Sequence, residues 1–170
     1  ILVISLMEKG PASSARLKEI SGSGMLDMLF VYNPVQVYDM FDHLGVYGRQ
    51  LYSNLLGIDF IFAIIFMCLQ SLLITVLLQK NGLFQKLHSL NLLPYLRSIL
   101  DMLENCCLLI LMVLYPARFP FLAGLAGILT TLKWIIYGGI IVLAFSLGAL
   151  MSSKNISSQF NKMQPSRKTL

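Results

Sequence analysis

PYLRSILDMLENCCLLILMVLYPARFPFLAGLAGILTTLKW, residues 94–134, is the stretch whose reading decides the fold. Two long apolar runs flank a tight turn from Tyr115 to Pro120, rich in proline and aromatic side chains. Each run is long enough for a membrane-crossing helix, and each carries charge where lipid is expected. Arg97, Asp101 and Glu104 lie on the first, Lys133 on the second. A lipid-facing charge near mid-bilayer costs roughly 2.5–3.5 kcal/mol on insertion scales, so four such groups predict a polar cluster shielded between helices.

Composition agrees. Of 170 residues, 56% are hydrophobic and 12% charged, with mean hydropathy +0.74. Soluble domains carry about a quarter charged residues, twice this share. No short alternating strands appear, so a transmembrane barrel is excluded in favour of helices. The net charge of +5 does not indicate nucleic-acid binding, because the basic residues flank apolar runs instead of gathering on one face. Cys68, Cys106 and Cys107 all lie inside apolar runs without Cys-x-x-Cys spacing, which fits small packing residues better than nucleophiles or a disulfide framework. Only His43 and His88 are present, and both flank apolar runs, so no metal ligand set or cofactor is expected. No Ser–His pair, metalloprotease helix motif, phosphate loop or dinucleotide fingerprint appears, and no enzyme activity is expected.

Residues 1–7, ILVISLM, read as the remnant of a first transmembrane helix; the remnant of a signal sequence is the alternative. Residues 8–58 form a segment expected outside the cytoplasm. It has a short helical candidate at residues 15–20 and a Ser-Gly linker after it. Asn33 followed by Pro34 predicts a helix start. Val37, Tyr38, Phe41 and Leu44 recur at helical spacing with Asp39 and Asp42 opposite, and Gly45 and Gly48 end or bend the helix. It reads as amphipathic, lying on the membrane or capping the bundle, with a polar face too acidic to dock by attraction to anionic lipid.

Residues 59–151 form a three-span transmembrane bundle. The second span is the uncharged run 60–79, with Gln70 at its middle, and the third covers residues 94–115. The last run, 121–150, would be roughly 45 Å long against a hydrocarbon core of about 30 Å, so it must tilt, kink near Gly138 and Gly139, or begin in the interface. Residues 152–170 read as a disordered basic tail. Lys80, Lys86, Lys154, Lys162, Arg167 and Lys168 share one side with no acidic residue, which puts the 80–91 connection and the tail in the cytoplasm. The expected class is therefore all-α, a polytopic helical transmembrane bundle of four spans, the first truncated, with a short amphipathic external helix. Its expected location is the plasma membrane.

Arg97, Asp101, Glu104, Asn105 and Leu108 fall on one face of the third span, polar for two turns and apolar after. In an antiparallel hairpin turning near residues 117–118, Asp101 lies level with Trp134 beside Lys133, and Glu104 with Thr131. The same counting around the 80–91 connection brings Gln70 near Glu104. The expected cluster is Gln70, Arg97, Asp101, Glu104, Asn105 and Lys133, close to the midplane. Ala123, Gly127 and Thr131 make a small-residue face that lets helix backbones approach. Two readings stand beside a functional site. Arg97 and Lys133 balance Asp101 and Glu104, as in a neutral cluster that fixes helix register. Lys133 with Trp134 and Tyr137 also suits an interfacial anchor. Asp59 and Arg49 read as interface residues.

YNPVQVYDMFDHLGVYGRQLY, LLPYLRSILDMLENC and LYPARFPFLAGLAGILTTLKW together resemble a family of small, uncharacterised bacterial integral membrane proteins with four predicted helices. The resemblance covers residues 24 to 150 and departs at the front, where the first helix is reduced to ILVISLM. It implies the architecture and no activity. The expected function is non-enzymatic: a membrane protein that binds a small ligand or lipid, or serves as a partner subunit. The alternative is a small transporter or proton-coupled carrier using Asp101, Glu104 and Lys133.

Overall fold

The computed structural model describes residues 14–22 and 24–163, so the expectation for residues 1–7 lies outside them. No strand occurs among the described residues. In chain order come α1 (Ser14–Ser21), a 3-10 turn (Leu26–Met28), α2 (Pro34–Asn81), α3 (Phe84–Leu87), a second 3-10 turn (His88–Leu92), α4 (Leu93–Leu114) and α5 (Pro120–Met163). Two helices, α2 and α5 over Pro120–Lys154, are long and apolar enough to cross a membrane.

α2 begins where the sequence predicts. Asn33 Oδ1 accepts the Gln36 backbone N–H at 3.0 Å, Gln36 Oε1 accepts the Asn33 N–H at 2.9 Å, and Pro34 fills the first turn. This reciprocal cap satisfies two backbone donors that a helix start leaves open. Asn33→Ala should lower stability by about 1 kcal/mol, while Asn33→Gly should lose only a few tenths. Thermal unfolding of the purified protein checks both; a silent alanine would show that the cap contributes nothing.

Val37, Tyr38, Phe41 and Leu44 are all buried, as their spacing requires. At Gly45 the backbone turns to φ 59, ψ −168, a left-handed conformation that glycine adopts without strain, and the chain doubles back. Arg49 then donates to the Phe41 carbonyl at 2.9 Å and covers the Tyr115 ring at 4.2 Å. Gly48 stays helical with its Cα against the Leu44 side chain. The exposed carboxylate of Asp42 accepts from Tyr115 Oη and pairs with Arg118 at 3.2 Å. These contacts tie the start of α2 to the α4–α5 turn.

Past Gly45, α2 runs antiparallel to α4, and α4 antiparallel to α5. The upper core gathers Tyr52, Leu55 and Leu56 of α2, Leu108 and Leu111 of α4, and Ala123 and Ala126 of α5. Lower down, Ile74 and Leu78 meet Ile140 and Leu147. Asn81 Nδ2 donates to the Leu147 carbonyl and Lys154 Nζ to the Asn81 carbonyl, so the end of α2 lies level with residues 147–154 of α5.

Three features differ from expectation. The small-residue face of α5 receives a non-helical segment, residues 29–33, instead of a helix. Gly127 lies against the Tyr32 carbonyl, and Thr131 Oγ1 reaches the Phe30 carbonyl at 3.3 Å. α5 also continues helical to Met163, so the expected disordered tail is ordered over residues 152–163, where no glycine or proline interrupts it. Third, the 82–92 connection is itself helical and climbs back along α2. There Asn91 bonds Ser71 at 3.0 Å and Thr75 at 2.9 Å.

Candidate functional site

α4 presents its polar stripe to both neighbours. Asp101 sits between two cations: Lys133 Nζ of α5 donates to Oδ1 at 2.7 Å, and Arg97 Nη2, one turn back on α4, lies 3.1 Å from Oδ2. Lys133 Nζ is also 2.6 Å from Glu104 Oε2, an ion contact at an angle outside hydrogen-bond geometry. The other Glu104 oxygen accepts from Tyr32 Oη at 3.0 Å and from the Thr130 hydroxyl. Glu104 is 0% exposed, Asp101 2% and Lys133 3%. All three side chains are buried, and Lys133 points into the protein. The outward anchor is therefore excluded for Lys133, and the predicted level match with Asp101 holds.

Two further buried acids join it. Asp59 of α2, read from sequence as an interface residue, is 3% exposed and takes the Asn105 amide on Oδ2 at 2.8 Å. Among the described residues its Oδ1 accepts no hydrogen bond. Asp27, in the 3-10 turn, is equally buried and accepts from Tyr52 Oη at 3.2 Å; that phenol in turn accepts the Leu26 N–H. Among the described residues neither acid forms an ion pair. The cluster thus holds four carboxylates (Asp27, Asp59, Asp101, Glu104) against two cations (Arg97, Lys133), an excess of two negative formal charges where the sequence reading expected balance. Buried charge without a partner is costly, so acids that lack a cation must either hold a proton or be met by a cation from outside the network.

Beside the triad lies a cavity of about 200 Å³. Asp27, Asp59, Asp101, Arg97 and Lys133 make its polar wall; Phe62, Phe66, Trp134, Tyr137 and Met28 make the rest. Phe62 and Phe66 stack at 5.3 Å, Trp134 meets Tyr137 edge-on, and the Arg97 guanidinium lies over Phe66 and Tyr137. Two buried donors on these wall residues, Arg97 Nη1 and Trp134 Nε1, have no hydrogen-bond partner among the described residues.

Five of the six sequence-predicted residues therefore meet: Arg97, Asp101, Glu104, Asn105 and Lys133. Gln70 does not. It is buried on α2, eleven residues past Asp59 and so about 16 Å further along the helix. Counting equal lengths from the 80–91 connection misplaced it because that connection is a climbing helical segment rather than a simple turn. Asp27, Tyr32, Tyr52, Asp59 and Thr130 were missed. Asp59 was findable as an acid at the mouth of an apolar run; the others depend on contacts distant in sequence.

Compared with family models, curated proteins and solved structures, the chain finds no match.

Proposed function

We propose that this is a multi-pass plasma-membrane protein, of a bacterial kind by its resemblance, that binds a small ligand without catalysis in the cavity beside Asp101 and Lys133. Lipid surrounds α2, α4 and α5 as three spans of a bundle. The observation that carries the binding reading is the cavity itself, with the unmet donors Arg97 Nη1 and Trp134 Nε1 on wall residues beside three buried carboxylates. Arg49 and Pro120 stand outside, Lys80 and Lys154 at the cytoplasmic face. Asp59 is ten residues below Arg49 and twenty-one above Lys80, about 15 and 32 Å, so the site sits in the outer half of the bilayer. The level contact between Asn81 and Lys154 supports a common cytoplasmic end.

A carrier needs a polar route to the other face. Toward the cytoplasmic end α2 and α5 close on Ile74, Leu78, Ile140 and Leu147, which favours binding over transport.

Trp134 is the chain's one tryptophan and lines the cavity, so its fluorescence reports entry. Acrylamide, a small neutral quencher, should quench it in a neutral detergent; emission indifferent to acrylamide would leave a sealed scaffold. Orientation is tested with impermeant maleimide on intact cells after the native cysteines are replaced. Val46→Cys, at a position 81% exposed, should label and Lys86→Cys should not. Labelling at position 86 would reverse the topology.

A further inference from the structure

We infer that the cavity is a receptor for a small ammonium ion carrying a neighbouring oxygen, the chemistry of a 2-hydroxyethylammonium group, whether free or on a lipid headgroup. This rests on the binding reading above and names the ligand class.

The charge comes first. Asp101 and Glu104 have cations of their own, whereas Asp27 and Asp59 have neutral partners. Asp59 is 97% buried by its 3% exposure, lines the cavity, and keeps Oδ1 without a hydrogen bond. A cation in the cavity supplies the charge these two acids lack, and its N–H groups supply the missing donor.

The walls come second. Phe62 and Trp134 line the same space, and an ammonium ion held over aromatic faces gains attraction that an anion does not. The unpartnered donors, Arg97 Nη1 and Trp134 Nε1, require an acceptor. A bare amine offers none; an oxygen close to the ammonium does. Size comes third. About 200 Å³ equals the liquid volume of roughly seven waters, enough for an amino alcohol and too little for a long chain.

Trp134 again gives the readout. Caesium and iodide quench indole by contact and differ in sign. Because the wall carries three carboxylates against two cations, the local field favours cations, and caesium should gain on iodide when each is scaled to its quenching of free indole. Ethanolamine at neutral pH should protect against caesium, ethylamine less, and sodium chloride at matched ionic strength least. Asp59→Asn should erase the caesium preference; where that variant fails to fold, the wild-type competition series stands alone. In nanodiscs, protection already present in phosphatidylethanolamine but absent in phosphatidylglycerol identifies a headgroup as the source. Protection only by added ethanolamine identifies a free amine. Iodide quenching equal to or above caesium on that scale, or sodium protecting as well as ethanolamine, overturns the inference. Such a result with acrylamide still quenching would leave the binding reading intact.

Discussion

Lys133→Met is expected to destabilise the protein by about 3–5 kcal/mol, the usual consequence of stranding buried charge. Lys133 is 3% exposed and lies within 2.7 Å of Asp101 and 2.6 Å of Glu104. Without it, Asp101 keeps Arg97 at 3.1 Å, but Glu104 is left with only the hydroxyls of Tyr32 and Thr130. The loss should therefore couple to Glu104 more than to Asp101. Adding Glu104→Gln to Lys133→Met should recover about 0.5–3 kcal/mol, because no orphan carboxylate then remains. Adding Asp101→Asn should recover less, since it strands Arg97. Equilibrium unfolding in mixed micelles measures the cycle. Strict additivity with both acids would show that the triad is geometric proximity without energetic pairing.

Gly127→Ala should cost about 1–3 kcal/mol although it adds one methyl group to a helix. The ordinary expectation is the reverse, since alanine is favoured over glycine in a helix by roughly 1 kcal/mol. At Gly127 the new Cβ would strike the Tyr32 carbonyl oxygen, which is backbone and cannot rotate away. The 24–33 segment must then lift off α5, which pulls Tyr32 Oη from Glu104 and shifts Asp27 at the cavity wall. Gly124→Ala, one turn away, is the control. Its Cβ would stand 3.8 Å from Pro34, an ordinary contact, and the change should be neutral or stabilising. Equal effects at the two positions would mean that the segment does not rest on α5 in solution. A caesium-quenching measurement on Gly127→Ala should also show a weakened cation preference, because Asp27 moves with the segment.

Several parts of the site were legible before any coordinates. The i, i+4, i+7, i+8 spacing of Arg97, Asp101, Glu104 and Asn105 puts them on one helical face whatever the surroundings. The proline-bounded turn is short, so counting outward from it matched Asp101 with Lys133 across thirty-two residues. The same counting failed for Gln70, because the 82–92 connection is helical and climbs beside Ser71 and Thr75. Counting works where a turn is tight and breaks where the connection has structure of its own.

The sequence by itself determined the all-helical class, the cap at Asn33, the break at Gly45 and the polar stripe of α4. Each follows from local rules: residue period, capping chemistry and the backbone freedom of glycine. Only the tertiary structure decided that the cluster is acid-rich and has a cavity beside it. That outcome depends on a non-helical segment with no period to read, brought by contacts such as Phe30 with Thr131, 101 residues apart, onto a helix face that glycine leaves open. No local pattern encodes such a pairing, because its stability comes from burial against a surface that exists only once α2, α4 and α5 have packed.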